Sequence, residues 1–453
     1  TIPAFRARGA KFMSAESSDN WGPNGLGYYL ASRMMWDVKE ADRLDTLVDD
    51  FLARAFGPAK EPMREFYKQL DGSEPHELRS DQIARMFRAL ADAWKQSEGD
   101  AAVRARVADL AQYAHYVHLY QQYAEEKGAA RQAAFEQVIR HAYRMRTTML
   151  VHTKALYRDL PGRDKSVAVP AGAAWSVPEG KNPWKSSRPF ADDEVARLLA
   201  DGVARYPLAK LPFAPVAFAQ NLVPATALNL PADLPPGTLG AARGRQVFYT
   251  RVGKGQAEVR LLVTGGMIAH YRDRGNVKVE AWKLGGPSAT GEKETLAASD
   301  RSAPPDGHEH VVTLSLREPG VYRVTTDDGM DRTLVKWDCP LPLVVRSAAD
   351  EPMNKYYGPW TMYFYVPKGT KVVGLFGGEH GGIRDGAGRE ALALDGKAVG
   401  YHAVDVPTGQ DGRLWSVRDA RGPVRLLTVP PYFARSASDL LVPAEVVAAD
   451  AAK

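Results

Sequence analysis

The sequence predicts a multidomain α+β protein: the remnant of a (β/α)8 barrel, then an α-helical region, then two tandem antiparallel β-sandwich domains of jelly-roll-like type. Three observations carry this. Gly9 to Asp37 reads as one strand, one loop and one helix, with no second such unit beside it. From Asp37 to Arg163 apolar residues recur at helical spacing. After Pro207 the period falls to two, with Gly, Asp and Pro at the turns.

The first unit is a strand at Ala10 to Ala15, a polar loop at Glu16 to Asn24 and a helix at Gly25 to Trp36. Side chains at the carboxyl end of a parallel strand converge on open space, where α/β folds and barrels meet their ligands. Glu16, Asp19, Asn20 and Trp21 fall there. A parallel strand needs cover on both faces and both edges. The expectation is therefore that residues 1–36 close a barrel whose other strands lie before Thr1.

Residues 37–163 form the helical region. Leu44, Leu47, Val48, Phe51, Leu52, Ala55 and Phe56 mark one helix, stopped by Gly57-Pro58. Glu61 to Leu70 is a second, and the stripe Ile83, Met86, Phe87, Leu90 and Trp94 a third. A fourth runs from about Ala102 to Lys127, and a long fifth from Ala130 to Leu160. Short connections make these antiparallel neighbours. Residues 164–206 are a Pro-, Gly- and Ser-rich linker anchored by Trp175 and Trp184, then a short helix whose Asp192 and Asp193 suit its amino end. Residues 207–345 and 346–453 are the two sandwiches, with the boundary between Trp337 and Trp360.

Composition bounds function. Of 453 residues, 59 are Lys or Arg and 54 Asp or Glu, so the net charge is +5. The basic residues form no block, which speaks against a nucleic-acid partner. No apolar run is long enough for a membrane span. Cys339 is the only cysteine, so an intrachain disulfide and a thiolate metal cluster are excluded. No Ser/His/Asp elbow, HExxH or CxxC motif is present. No cofactor is expected.

Asn20-Trp21-Gly22, Tyr28-Tyr29, Arg33 and Trp36-Asp37, in that order, resemble the end of the catalytic barrel in α-glucuronidases and related glycoside hydrolases. The stretches LASRMMWD…LVDDFLARAFGPAKEPMREFY and MYFYVPKGTKVVGLF…GQDGRLWSVRDARGPVRLLTVPPYFARS are similar to a domain-of-unknown-function family of bacterial glycoside hydrolase-like proteins. The resemblance covers most of the chain. It implies a preceding barrel of about 250 residues, a carbohydrate partner, and hydrolysis of a glycosidic bond in a polysaccharide. It also implies that this chain alone is inactive.

Glycoside hydrolysis needs two carboxyl groups flanking the bond, about 5 Å apart for retention and roughly 6.5–9.5 Å for inversion. Glu16 is the candidate catalytic residue here. Trp21 offers a flat face for a sugar ring, and Asn20 and Asp19 offer hydrogen bonds to hydroxyls. Against each stands a plainer use: Glu16 pairing an Arg of the barrel rim, Trp21 plugging the cleft. Tyr113, Tyr116, Tyr120 and Tyr123 share a helix face that suits packing. His115 and His118 are three apart but have no acidic neighbour to complete a metal site. His141 and His152 are too far apart on one helix to share an ion, and Arg140, Arg144, Arg146 and Lys154 read as a solvated face. Glu379, His380 and Asp385, in a Gly-rich loop, could line a sugar or calcium site. Tyr363 and Tyr365 with Trp360 and Trp415 could form an aromatic platform or a docking face. Two rival functions stand beside the hydrolase: a carbohydrate-binding or scaffolding module without chemistry, and a polysaccharide lyase.

Overall fold

The computed structural model describes residues 2–15, 22–71, 78–255, 257–285, 294–396 and 399–452. The chain divides into two compact units, Thr1–Ala209 and Lys210–Lys453. It is mixed α+β, with most strands in the second unit. Among the described residues no helix is long and apolar enough to cross a membrane.

The first unit is helical: α1 (Ile2–Ala7), α2 (Gly25–Trp36), α3 (Leu44–Phe56), α4 (Lys60–Lys68), α5 (Arg79–Gln96), α6 (Ala101–Glu125), α7 (Gly128–Arg144), α8 (Thr153–Arg163) and α9 (Asp192–Arg205). The stripe expected on α5 is the core: Ile83, Met86, Phe87 and Leu90 pack with Leu52 and Phe56 of α3, Val107 and Ala111 of α6, and Leu199 of α9. Asp100 starts α6 by accepting the amide hydrogens of Ala102 and Val103, both at 3.0 Å, which satisfies two of the free donors of the first turn. On α9, Gly202 faces Phe87 so closely that a Cβ would stand 2.2 Å from the ring.

Two expectations fail in this unit. Ala10 to Ala15 forms no strand. The chain curls back on α1 instead, the Gly9 and Ala10 amides donating to the carbonyls of Arg6 and Phe5, both at 3.0 Å. A strand needs a neighbour to take its backbone groups, and the described residues place none there. The long helix from Ala130 to Leu160 is also broken, between α7 and α8. The Thr148 hydroxyl donates to the Met145 carbonyl at 2.8 Å, competing with the helical ladder, and Met149 turns left-handed at φ 58°.

The second unit is built on a ten-stranded sheet. Its strands lie in the order Glu390–Leu394, His380–Arg384, Arg413–Arg421, Trp360–Val366, Tyr432–Ala434, Leu343–Arg346, Gln246–Val252, Gly320–Asp327, Lys278–Lys283 and Thr295–Asp300. All the pairings are antiparallel. A four-stranded sheet and a three-stranded sheet contribute to the same apolar core. Val259, Leu261 and Val263 of the former meet Phe248 and Val324, and Val373 and Leu375 of the latter meet Phe364 and Trp415, within one continuous cluster.

The architecture is thus sandwich-like, but the two β regions do not stand as separate sheets. Val344 pairs with Tyr249 on one side and Ala434 on the other, so the expected boundary at 345/346 cuts through a central strand. The aromatic platform is also overturned. Trp360 and Trp415 are fully buried, and Tyr363 and Tyr365 nearly so. Tyr363 donates to the Pro235 carbonyl at 2.6 Å and Tyr365 to Asp450 Oδ2 at 2.9 Å. Leu222, Leu440 to Val442 and Val446, the last on α10 (Ala444–Ala451), cover that face from within the unit.

Candidate functional site

Glu16, Asp19, Asn20 and Trp21 lie outside the described residues. Their flanks are described. α2 spans the residues expected of it, and Tyr29 packs on Phe51 with ring centroids 5.5 Å apart. Arg33 and Arg43 both bind Glu40, at 3.1 and 2.6 Å, closing the turn after the helix. The outer side is different. Phe12 is 95% exposed and Trp36 94%, with Phe5, Met13 and Met35 also exposed. These residues border a cleft of about 290 Å³ lined by Arg6, Phe12, Met13, Met35, Trp36 and Asp37 among others.

A second cleft, of about 280 Å³, lies between α6, α7 and the linker, lined by His115, Arg140, His141, Arg144, Trp184 and Phe190 among others. Here the fold brings together histidines that no spacing rule joins. His115 on α6 and His141 on α7 meet with ring centroids 4.8 Å apart, and His118 lies 5.6 Å from His115. His141 Nε2 bonds the Gln112 carbonyl at 2.8 Å, and His118 Nδ1 bonds the Tyr206 hydroxyl at 2.7 Å. Burial pushes all three down, His115 to about 3 and His118 and His141 to about 4; the positive groups Arg205 and Arg144 add to this. At neutral pH they are uncharged imidazoles that can accept or donate a hydrogen bond. Among the described residues no three His, Cys, Asp or Glu side chains could hold a metal ion.

The arginines beside this cleft are not a solvated face. Arg140 bonds the Pro183 carbonyl and Glu136 at 2.8 Å. Arg144 donates to the Arg188 carbonyl at 2.7 Å, the Pro189 carbonyl at 2.8 Å and Glu194 at 2.7 Å, with its guanidinium 3.7 Å above the Phe190 ring. Arg146 reaches Ser187 at 2.6 Å. An irregular linker has carbonyls without ladder partners, and the guanidinium fork supplies the missing donors. Arg144→Ala is expected to cost about 2–3 kcal/mol, from lost charge-assisted bonds and carbonyls left unpaired. Urea unfolding followed by circular dichroism checks this, and Arg144→Lys, lacking the fork, should recover only part.

Other candidates resolve plainly. Tyr113, Tyr116, Tyr120 and Tyr123 form a chain of ring contacts along α6. Tyr123 is buried, and its hydroxyl donates to Asp164 at 2.6 Å beside Arg131. Glu379 is taken by Lys355 at 2.8 Å. Asp385 is taken by the amides of Ala387 and Arg389 and by the Arg389 side chain at 2.9 Å, so both acids are already engaged, and the stretch expected as a loop holds the strand His380–Arg384. Comparison with protein-family models and with curated proteins gives no match.

Proposed function

We propose that the chain is the carboxyl-terminal part of a glycoside hydrolase-like protein acting on a polysaccharide, inactive without its barrel. Its α1–α2 face seats a catalytic barrel of the same protein. The observation that carries this is the exposed pair Phe12 and Trp36 at one cleft, which in sequence stand on either side of Asn20-Trp21. Burying two such rings is worth several kcal/mol, about 1.5–3 kcal/mol each. The carbohydrate substrate comes from the resemblance of that loop and of the segments around it. In this reading Glu16 contacts substrate as acid, base or hydrogen-bond partner, and Asp19, Asn20 and Trp21 line the site.

The test compares this chain with the longer protein that carries the barrel, measuring reducing ends released from a panel of uronic-acid-containing polysaccharides. Turnover by the longer protein only, lowered by Trp36→Asp and by Glu16→Gln, is expected. Sugar binding by the longer protein with no turnover would favour the carbohydrate-binding module instead. Products absorbing in the ultraviolet would make it a lyase. The binding-module reading has one observation of its own: the cleft walled by Trp184 and Phe190, with neutral His115 and His141 beside them.

A further inference from the structure

The cleft between α6, α7 and the linker has charged walls of one sign. Arg140, Arg144, Lys185 and Arg188 line it, and no Asp or Glu does. Two carboxylates answer these cations from beside the cleft. Glu136 pairs with Arg140 at 2.6 Å, and Glu194 pairs with Arg144 at 2.7 Å and with Arg188 at 2.6 Å. Lys185 meets no carboxylate among the described residues. Its ammonium donates to the carbonyls of Trp175 at 2.6 Å and Val177 at 2.7 Å. Four cations therefore stand against two carboxylates, and the cleft keeps a positive surplus.

Several of its hydrogen-bonding groups are also unspent. An ammonium carries three hydrogens, of which Lys185 uses two. Arg188 meets Glu194 through Nη2, while its Nε and Nη1 bond nothing among the described residues. Ser186 Oγ accepts from the Arg188 amide at 3.3 Å and keeps its own hydrogen to donate. His115 touches the rings of His118 and His141, yet neither of its nitrogens makes a hydrogen bond among the described residues, and nor does the Gln137 amide. Leu119 and Phe190 supply apolar wall between these groups. A few polar groups turned on a concave, partly apolar space are what fixes a small ligand's orientation. At about 280 Å³ the space lies just under the usual range of roughly 300–1,000 Å³, so its occupant is small.

We propose that this cleft binds a small hydroxy-carboxylate anion. The carboxylate meets the free N–H groups of Lys185 and Arg188, in charge-assisted bonds about twice as strong as neutral ones. The hydroxyls meet Ser186, Gln137 and His115, whose uncharged imidazole both donates and accepts. Arg144, tied to two linker carbonyls and to Glu194, fixes the wall on which these groups stand. Inorganic phosphate has the charge but not the reach to satisfy both sets of groups. A neutral polyol has the reach but not the charge. The cleft lies wholly in the helical unit, so the proposal stands apart from any barrel.

The test is calorimetric titration of the full chain with sodium gluconate, with glucose and with inorganic phosphate. Gluconate is expected to bind at least tenfold more tightly than either of the others. Arg188→Gln and Gln137→Ala alter exposed positions, so both variants should keep the wild-type helical circular dichroism. Arg188→Gln is expected to weaken gluconate about tenfold and Gln137→Ala by a smaller factor. Arg158→Gln removes an exposed cation that does not line the cleft, and it should leave gluconate binding unchanged. Absence of heat with wild-type protein up to about 20 mM gluconate, beyond millimolar affinity, overturns the proposal. Equal binding of phosphate or of glucose overturns it too, since the cleft then reads charge alone or hydroxyls alone. Gluconate binding that Arg188→Gln and Gln137→Ala leave intact, or that Arg158→Gln weakens equally, places the anion elsewhere and likewise overturns it.

Discussion

Acidification from pH 7 to pH 4 is expected to destabilise the helical unit by several kcal/mol, with His141 alone supplying about 3 kcal/mol. His141 is buried between α6 and α7 and held down to about 4, against about 6.5 in the unfolded chain. A depressed histidine means that the unfolded state takes up the proton first. The stability is therefore whole above pH 6.5 and drains away as pH falls towards 4. His115 and His118 act in the same direction and in the same window. The groups facing them are His141 and Arg144 of α7, Arg205 at the end of α9, and Tyr206, none of which offers a compensating negative charge. The acids that clamp the linker do not contribute in this range. Glu194, held down to about 2 by Arg144, and Asp164, held low by Ser166 and Tyr123, stay ionised throughout. Urea unfolding followed by helical circular dichroism at pH 7 and pH 4.5 measures the effect. His141→Gln should weaken the protein at pH 7 and flatten its pH dependence. Equal stability at the two pH values would show that the imidazoles are not buried as described.

Helices were legible where the sequence punctuates them. Asp100 caps α6, and α2 and the core stripe of α5 fall where the apolar spacing puts them. The break between α7 and α8 was not legible, because Met145 to His152 contains neither Gly nor Pro. Only the hydroxyl of Thr148 and the left-handed Met149 interrupt the ladder. Ala10 to Ala15 shows the opposite error, since local alternation reads as a strand while a strand exists only by virtue of a partner. In the β unit most strands could be read from their own period of two, but His380–Arg384, expected as part of a Gly-rich loop, could not. The pairing of Val344 with Ala434 could not, because nothing local joins residues ninety apart.

The histidine cluster was hidden for the same reason. His115 and His118 share α6 and His141 sits on α7 (His152 caps α8), and spacing along a helix invites the wrong pairs. The arginines of α7 were misread because a charge run says nothing of what covers it; the linker carbonyls that they bind lie about forty residues downstream. The turn at Asp328 and Asp331 was legible only as a turn. Asp328 is met there by the Gly266 amide and Asp331 by the Ile268 amide, each more than sixty residues earlier.

Trp360→Ala is expected to cost about 3–5 kcal/mol and to be felt across the whole β unit. Trp360 is fully buried at the head of the strand Trp360–Val366, which pairs with both Arg413–Arg421 and Tyr432–Ala434. Its ring lies 5.6 Å from that of Phe433, and its indole donates to the Gly422 carbonyl at 2.9 Å. Truncation leaves both a cavity and a carbonyl without its donor. Because Leu343–Arg346 links Tyr432–Ala434 to Gln246–Val252 in one sheet, and one apolar cluster runs beneath all of it, the loss should reach Gln246–Val252 and Gly320–Asp327. Amide exchange resolved by mass spectrometry reads this directly. Protection should fall together at 246–252, 320–327 and 413–421. If the first two keep their protection while 413–421 loses it, the two β regions unfold independently. The shared sheet would then be a contact between separate domains rather than one cooperative body.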